Sequence, residues 1–183
     1  MHFTKKEKIN LLENSISGIV FLMMFIYGFA KINQFSGAIE VEKTLPELTG
    51  MELMWAFYGY SHPLALTIGL FEIVGGGLLL FKRTRILGCL LTTTILINII
   101  IQDIAFEVNQ GALIAAIIYQ ALILIILLMN KTRLIAAFKV LTQDTKTTES
   151  LKKKIIKFIL VMLLVVTLFF FQHYLTSFLS YLL

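Results

Sequence analysis

Cysteine is nearly absent. Cys89 stands alone in 183 residues, which excludes an intramolecular disulfide and every dithiol mechanism, the CxxC chemistry of membrane thiol oxidoreductases included. Histidine is scarce too: three scattered residues leave no cluster with metal-ligand spacing. Charged residues make up only 15% of the chain against 58% hydrophobic, whereas a soluble domain carries about 25% charged residues. No soluble domain, nucleotide loop or repeat array is visible. No nucleophile–base pair is found either, so the chain reads as something other than an autonomous enzyme, with no covalently bound cofactor.

What the sequence has instead is long apolar runs. Five of them, at about residues 12–31, 62–81, 86–106, 111–129 and 155–183, approach or exceed the roughly 20 apolar residues that cross a bilayer. The expected fold class is therefore all-α integral membrane: a bundle of four transmembrane helices over 1–130, a basic cytoplasmic linker over 131–154, and a fifth transmembrane helix over 155–183. Lys5, Lys6 and Lys8 ahead of the first run also resemble the start of a signal peptide, with Gly28-Phe29-Ala30 as a small-residue cleavage site; a retained span is the reading taken here. Of the 16 basic residues, all but Lys31 and Lys43 fall in the N-terminal arm, at Lys82, Arg83 and Arg85, or between 131 and 157. That alternation predicts a cytoplasmic N-terminus and an external C-terminus in a bacterial inner membrane. It also accounts for the net charge of +5 without any nucleic-acid partner.

The first external connection contains a stretch, 50–58, with helical apolar spacing and three aromatics. It is expected to lie along the interface, with Trp55, Tyr58 and Tyr60 as anchors or as a lid over a cavity. Ser61 is placed to cap the second span, with Pro63 in its first turn.

Glu72 is the one charge inside the run 62–81. A carboxylate at that depth costs on the order of 2.5–3.5 kcal/mol on the lenient insertion scale, so it calls for a partner, a proton or a water-filled cavity. At about 1.5 Å per residue, polar groups of four spans fall at comparable depth: Tyr27 and Lys31, Glu72, Asn98 with Gln102, and Tyr119 with Gln120. Asp103, at the outer end of the third span, is either a further member of the site or a solvated loop acid. Lys31 is the expected cation for Glu72, provided the first helix runs on to about Phe35. Taken singly, Asn98, Tyr119 and Gln120 are more readily explained by helix-to-helix hydrogen bonds. Gly75, Gly76 and Gly77 are expected to allow close helix packing rather than to form a hinge.

Two stretches resemble the DoxX-like membrane proteins: Phe25-Ile26-Tyr27-Gly28-Phe29-Ala30-Lys31-Ile32 in the first span and Gly69-Leu70-Phe71-Glu72-Ile73-Val74-Gly75-Gly76-Gly77 in the second, followed by the basic turn Arg83-Thr84-Arg85. The resemblance covers about residues 11–130. It implies a compact four-helix membrane bundle with Lys31 and Glu72 as its functional positions; the fifth span departs from that unit. Some members of that family are redox-linked, one as a small subunit of a thiosulfate:quinone oxidoreductase. The leading expectation is accordingly a non-catalytic membrane subunit that serves a redox partner protein and holds a quinone or similar lipid-soluble molecule near Glu72. The alternatives are a proton- or cation-coupled transport component, in which a homo-oligomer would offset the small size, and a membrane scaffold in which Lys31 and Glu72 only fix helix register.

Overall fold

The computed structural model describes residues 2–40, 42–143 and 149–182. Among these, every regular element is helical: α1 Lys5–Ala30, α2 Gly50–Tyr60, α3 His62–Leu80, α4 Arg85–Ala105, α5 Gln110–Met129, α6 Lys131–Leu141 and α7 Leu151–Leu182, with a short 3-10 turn at Leu45–Glu47. They fall into two compact units, Met1–Leu141 and Thr142–Leu183. Residues 144–148 of the polar linker lie outside the described residues.

Five helices, α1, α3, α4, α5 and α7, are long and apolar enough to cross a membrane. The 19 residues of α3 span about 28 Å, close to the thickness of a hydrocarbon core. Large apolar side chains such as Phe25, Leu70, Ile101 and Ile117 point outward from the first unit, an arrangement that lipid, not water, stabilises. Start signals are explicit where the chain leaves the polar phase. Thr4 accepts a hydrogen bond from the Glu7 amide while Glu7 accepts from Thr4, closing a capping box on α1, and Thr49 and Glu52 repeat it on α2. Ser61 does not cap α3 through its side chain as expected; its backbone carbonyl accepts from Leu64 and Ala65 instead, with Pro63 in the first turn.

In the first unit α1 packs on α3 and α5, and α4 packs on the same two, so the four long helices close into a ring. Small residues set the spacing. A Cβ added to Gly28 would stand 2.5 Å from the Gly69 carbonyl oxygen, and one added to Gly69 equally close to that of Gly28; α1 and α3 therefore touch backbone to backbone. Further along α3, Gly76 abuts Met24 of α1 and Gly75 abuts Thr92 of α4, while Gly77 faces open space. Two of the three consecutive glycines thus admit neighbours on either side of one helix. Val20, Met24, Leu79, Cys89, Leu96, Ile123 and Ile126 fill the ring's centre. A second apolar cluster, Phe35, Met54, Tyr58 and Ala65, sits where α2 packs on α3.

The second unit is a single long helix. Every side chain described on α7 is exposed. Both of its threonine hydroxyls are satisfied within the helix: Thr167 donates to the Leu163 carbonyl and Thr176 to that of Gln172, as suits a lipid-facing segment. Lys157 pairs with Glu149 at its start.

Candidate functional site

At the end of the ring covered by α2 lies a cavity of about 190 Å³. Its polar centre is built by three elements. Glu72, at the middle of α3, is 1% exposed. Its Oε1 lies 3.9 Å from the Lys31 ammonium, an electrostatic contact longer than a hydrogen bond. Lys31 gets there although α1 stops at Ala30, short of Phe35, because 31–39 continue as consecutive turns with the amides of Ile32, Asn33 and Gln34 bonded back to Phe29 and Ala30. Its stem runs past Gly69, where an added Cβ would meet the Lys31 Cγ at 3.0 Å. The ammonium donates to Gln34 Oε1 at 2.9 Å and stands 5.7 Å above the Phe35 ring.

Asp103, near the end of α4, supplies a second buried carboxylate, 6% exposed. Neither Glu72 Oε2 nor Asp103 Oδ2 has a hydrogen-bond partner among the described residues. Two carboxylates and one ammonium therefore line the same cavity. Buried polar atoms are almost always partnered, so such a pair marks the place where something else binds.

The walls are mostly apolar and aromatic. Tyr27 and Tyr119 place their rings 6.1 Å apart. Phe35 stacks on Tyr58 at 5.0 Å and meets Trp55 edge-on at 5.6 Å. The Tyr58 hydroxyl donates to Gln102 Oε1 at 2.6 Å, and Gln102 in turn donates to Asn98 Oδ1 at 2.5 Å. This relay ties α2 to α4 across the cavity mouth. At the foot of α2, Gly50 lies so close to the Phe106 carbonyl that only glycine fits.

Of the residues singled out from the sequence, Tyr27, Lys31, Glu72, Gln102, Asp103, Tyr119, Trp55 and Tyr58 all line this cavity. Three do not. Asn98 braces Gln102 from behind, Gln120 turns to Thr93 Oγ1 at 3.3 Å, and Tyr60 is 85% exposed. Gln34, Phe35, Met51 and Met54 line the cavity without having been expected there. A signal for them existed: Lys31, Gln34 and Phe35 are spaced i, i+3, i+4, and Met51, Met54, Trp55 and Tyr58 form one helical face.

A second buried polar cluster lies at the opposite end of the ring. Arg85, counted from the sequence with the basic turn into α4, is 2% exposed. Its Nε donates to the Leu79 carbonyl at 2.8 Å and its Nη2 to Asn14 Oδ1 at 2.9 Å. Nη1 stands 2.9 Å from Glu13 Oε1, within ion-pair range though off the hydrogen-bond line. Asn130 donates to the same Glu13 oxygen at 2.8 Å. The cluster joins α1, the end of α3, the start of α4 and the end of α5.

The family model of methylamine utilisation protein MauE matches residues 9–111, more than half of the chain. The chain belongs to the MauE family. A protein of Bacillus subtilis (strain 168) described as uncharacterized protein YwoB is 34% identical over 117 residues, which is 63% of this chain and 74% of that relative. No solved structure matches. The MauE match corrects the DoxX-like resemblance drawn from the first two spans. The residues that carried it, Gly28, Lys31, Gly69 and Glu72, form a close helix crossing with a buried ion pair beside it. Small residues recur wherever two membrane helices pack closely, so the glycine pattern does not identify a family. The MauE-matched stretch contains Lys31, Glu72 and Asp103; Tyr119 and Gln120 lie beyond it.

Proposed function

We propose that this MauE-family chain is a non-catalytic component of a redox-linked membrane system, and that its cavity holds a small lipid-soluble molecule with which Glu72 exchanges a proton. A quinone-like ring is the ligand class that suits the site. The observation that carries the reading is the pair of buried, partly unpartnered carboxylates that line a mostly apolar cavity with a single ammonium. A ring with oxygen substituents matches both the apolar walls and the polar centre, and quinone chemistry needs proton transfer at such a site. Electrons would come from a partner protein, since Cys89 is the only thiol and is buried. The family description, methylamine utilisation, supports a setting in redox metabolism and goes no further.

The distribution of basic residues supports an inner-membrane location with the N-terminus inside and the C-terminus outside, which would put the cavity toward the external face. Binding is favoured over transport by what lies inward of it. Val20, Leu79, Ile123 and Ile126 are wholly buried there, and the Arg85–Glu13 cluster closes the far end; neither feature suits a water path.

The test is mass spectrometry of small molecules retained by the protein in lipid nanodiscs, wild type beside Glu72→Gln. A ring compound held by the wild type and lost from the folded variant is the expected result. Identical background lipids in both samples would overturn the reading.

A further inference from the structure

We infer that the cavity selects the reduced, hydroxyl-bearing form of its ring ligand over the oxidised form. This rests on the quinone-like reading above and specifies which redox state the site holds. Glu72 Oε2 and Asp103 Oδ2 are both carboxylate oxygens and both lack partners among the described residues, and their residues are more than nine-tenths buried. An ionised carboxylate only accepts, so what completes it must donate. Lys31 can meet only part of this demand. It already donates to Gln34 and stands 3.9 Å from the other Glu72 oxygen. Its one positive charge also balances only one of the two carboxylates. None of the donors that line the cavity reaches Glu72 Oε2 or Asp103 Oδ2 in this structure.

A hydroquinone brings two O–H donors on a flat ring, and the lining is rich in aromatic side chains that can pack on one: Tyr27, Tyr119, Phe35, Trp55 and Tyr58. A quinone brings only carbonyl acceptors. Facing two carboxylates, it leaves both unpartnered, and its carbonyls can turn only to the Lys31 ammonium and the neutral donors of the lining. Charge-assisted hydrogen bonds are roughly twice as strong as neutral ones, and burial without a partner forfeits them entirely. The discrimination should therefore be large for a difference of two hydrogen atoms.

Trp55 is the only tryptophan and lines the cavity, so its fluorescence reports occupancy. The protein in quinone-free lipid nanodiscs is titrated anaerobically with duroquinol and, separately, with duroquinone; benzylammonium serves as a cationic ring control. The wild type is expected to bind duroquinol at least tenfold more tightly than duroquinone. Asp103→Asn and Glu72→Gln, which place an amide donor at each position, should each reduce duroquinol affinity about tenfold while leaving duroquinone within threefold. The wild-type ratio stands as a test even where a variant fails to fold. Equal affinities, or tighter duroquinone, would overturn the selectivity and leave the ring-binding reading intact. Tighter binding of benzylammonium than of duroquinol would also overturn it, in favour of a cation site. If neither duroquinol nor duroquinone binds, the proposed function fails with it.

Discussion

Arg85 and Lys31 carry the same charge and do different work. Arg85 is locked by four partners on two helices, α1 and α3, whereas Lys31 reaches its carboxylate at 3.9 Å and shares its protons with Gln34. The first arrangement reads as a structural clamp and the second as a group with capacity to spare. Removing one member of a buried pair leaves an uncompensated charge, at a cost of about 3–5 kcal/mol, while replacing both with apolar residues is often neutral. Arg85→Met is accordingly expected to lower the thermal midpoint in detergent sharply, and Arg85→Met with Glu13→Leu to recover most of the loss. An equal loss in single and double variants would show that the pair does not act as a unit. The Lys31→Glu, Glu72→Lys exchange should restore folding and assembly without restoring ligand retention; full recovery of retention would reduce the pair to a register device. The sequence made Glu72 and Lys31 conspicuous, because one charge in a 20-residue apolar run has no solvated explanation. Arg85 gave no such signal. It sits two residues after Arg83 and three after Lys82, and a basic side chain at a helix end can as readily snorkel to the surface as turn inward.

Helices decide how precisely those residues meet, and α3 carries most of that burden. Its glycines alternate between contacts: Gly69 and Gly76 against α1, Gly75 against α4, Gly77 against nothing. Helical spacing made the apolar runs legible from the sequence, but three consecutive glycines look alike until the neighbours are in place. Gly69→Val should force α1 and α3 apart and displace the Lys31 stem, at a cost of about 1–3 kcal/mol by overpacking. Gly77→Ala should be neutral or stabilise by up to about 1 kcal/mol through helix propensity. Thermal unfolding in one detergent separates the two, and equal destabilisation would contradict the packing described. The other element with its own chemistry is α2. Glu52 accepts from the Thr49 amide and pairs with Lys43, and these contacts hold its pKa down at about 2, from 4.5. Because the folded value is depressed, the contribution of Glu52 is fully present above pH 4.5 and fades as pH falls toward 2. Trp55, on the same helix, should report the loss as a change in emission with a midpoint near pH 2. Glu52→Gln should remove that transition; its persistence in the variant would assign it to another group.

The whole molecule poses a question of direction, because the two buried polar clusters sit at opposite ends of one ring. If the basic residues face the cytoplasm, the Arg85–Glu13 clamp closes the inner end and the carboxylate cavity lies under α2 toward the outside. A ligand would then enter from the external leaflet, and protons released at Glu72 would leave on that side. Cys89 makes the orientation simple to measure. It is wholly buried, so a cysteine added at the surface is the only thiol that a membrane-impermeant maleimide can readily reach. Ser36, exposed in the turns after α1, and Lys139, exposed on α6, report on the two ends. Ser36→Cys should label in intact spheroplasts, and Lys139→Cys only after the membrane is permeabilised. The reverse pattern would place the cavity on the cytoplasmic side, where ligand and partner protein would both have to be sought.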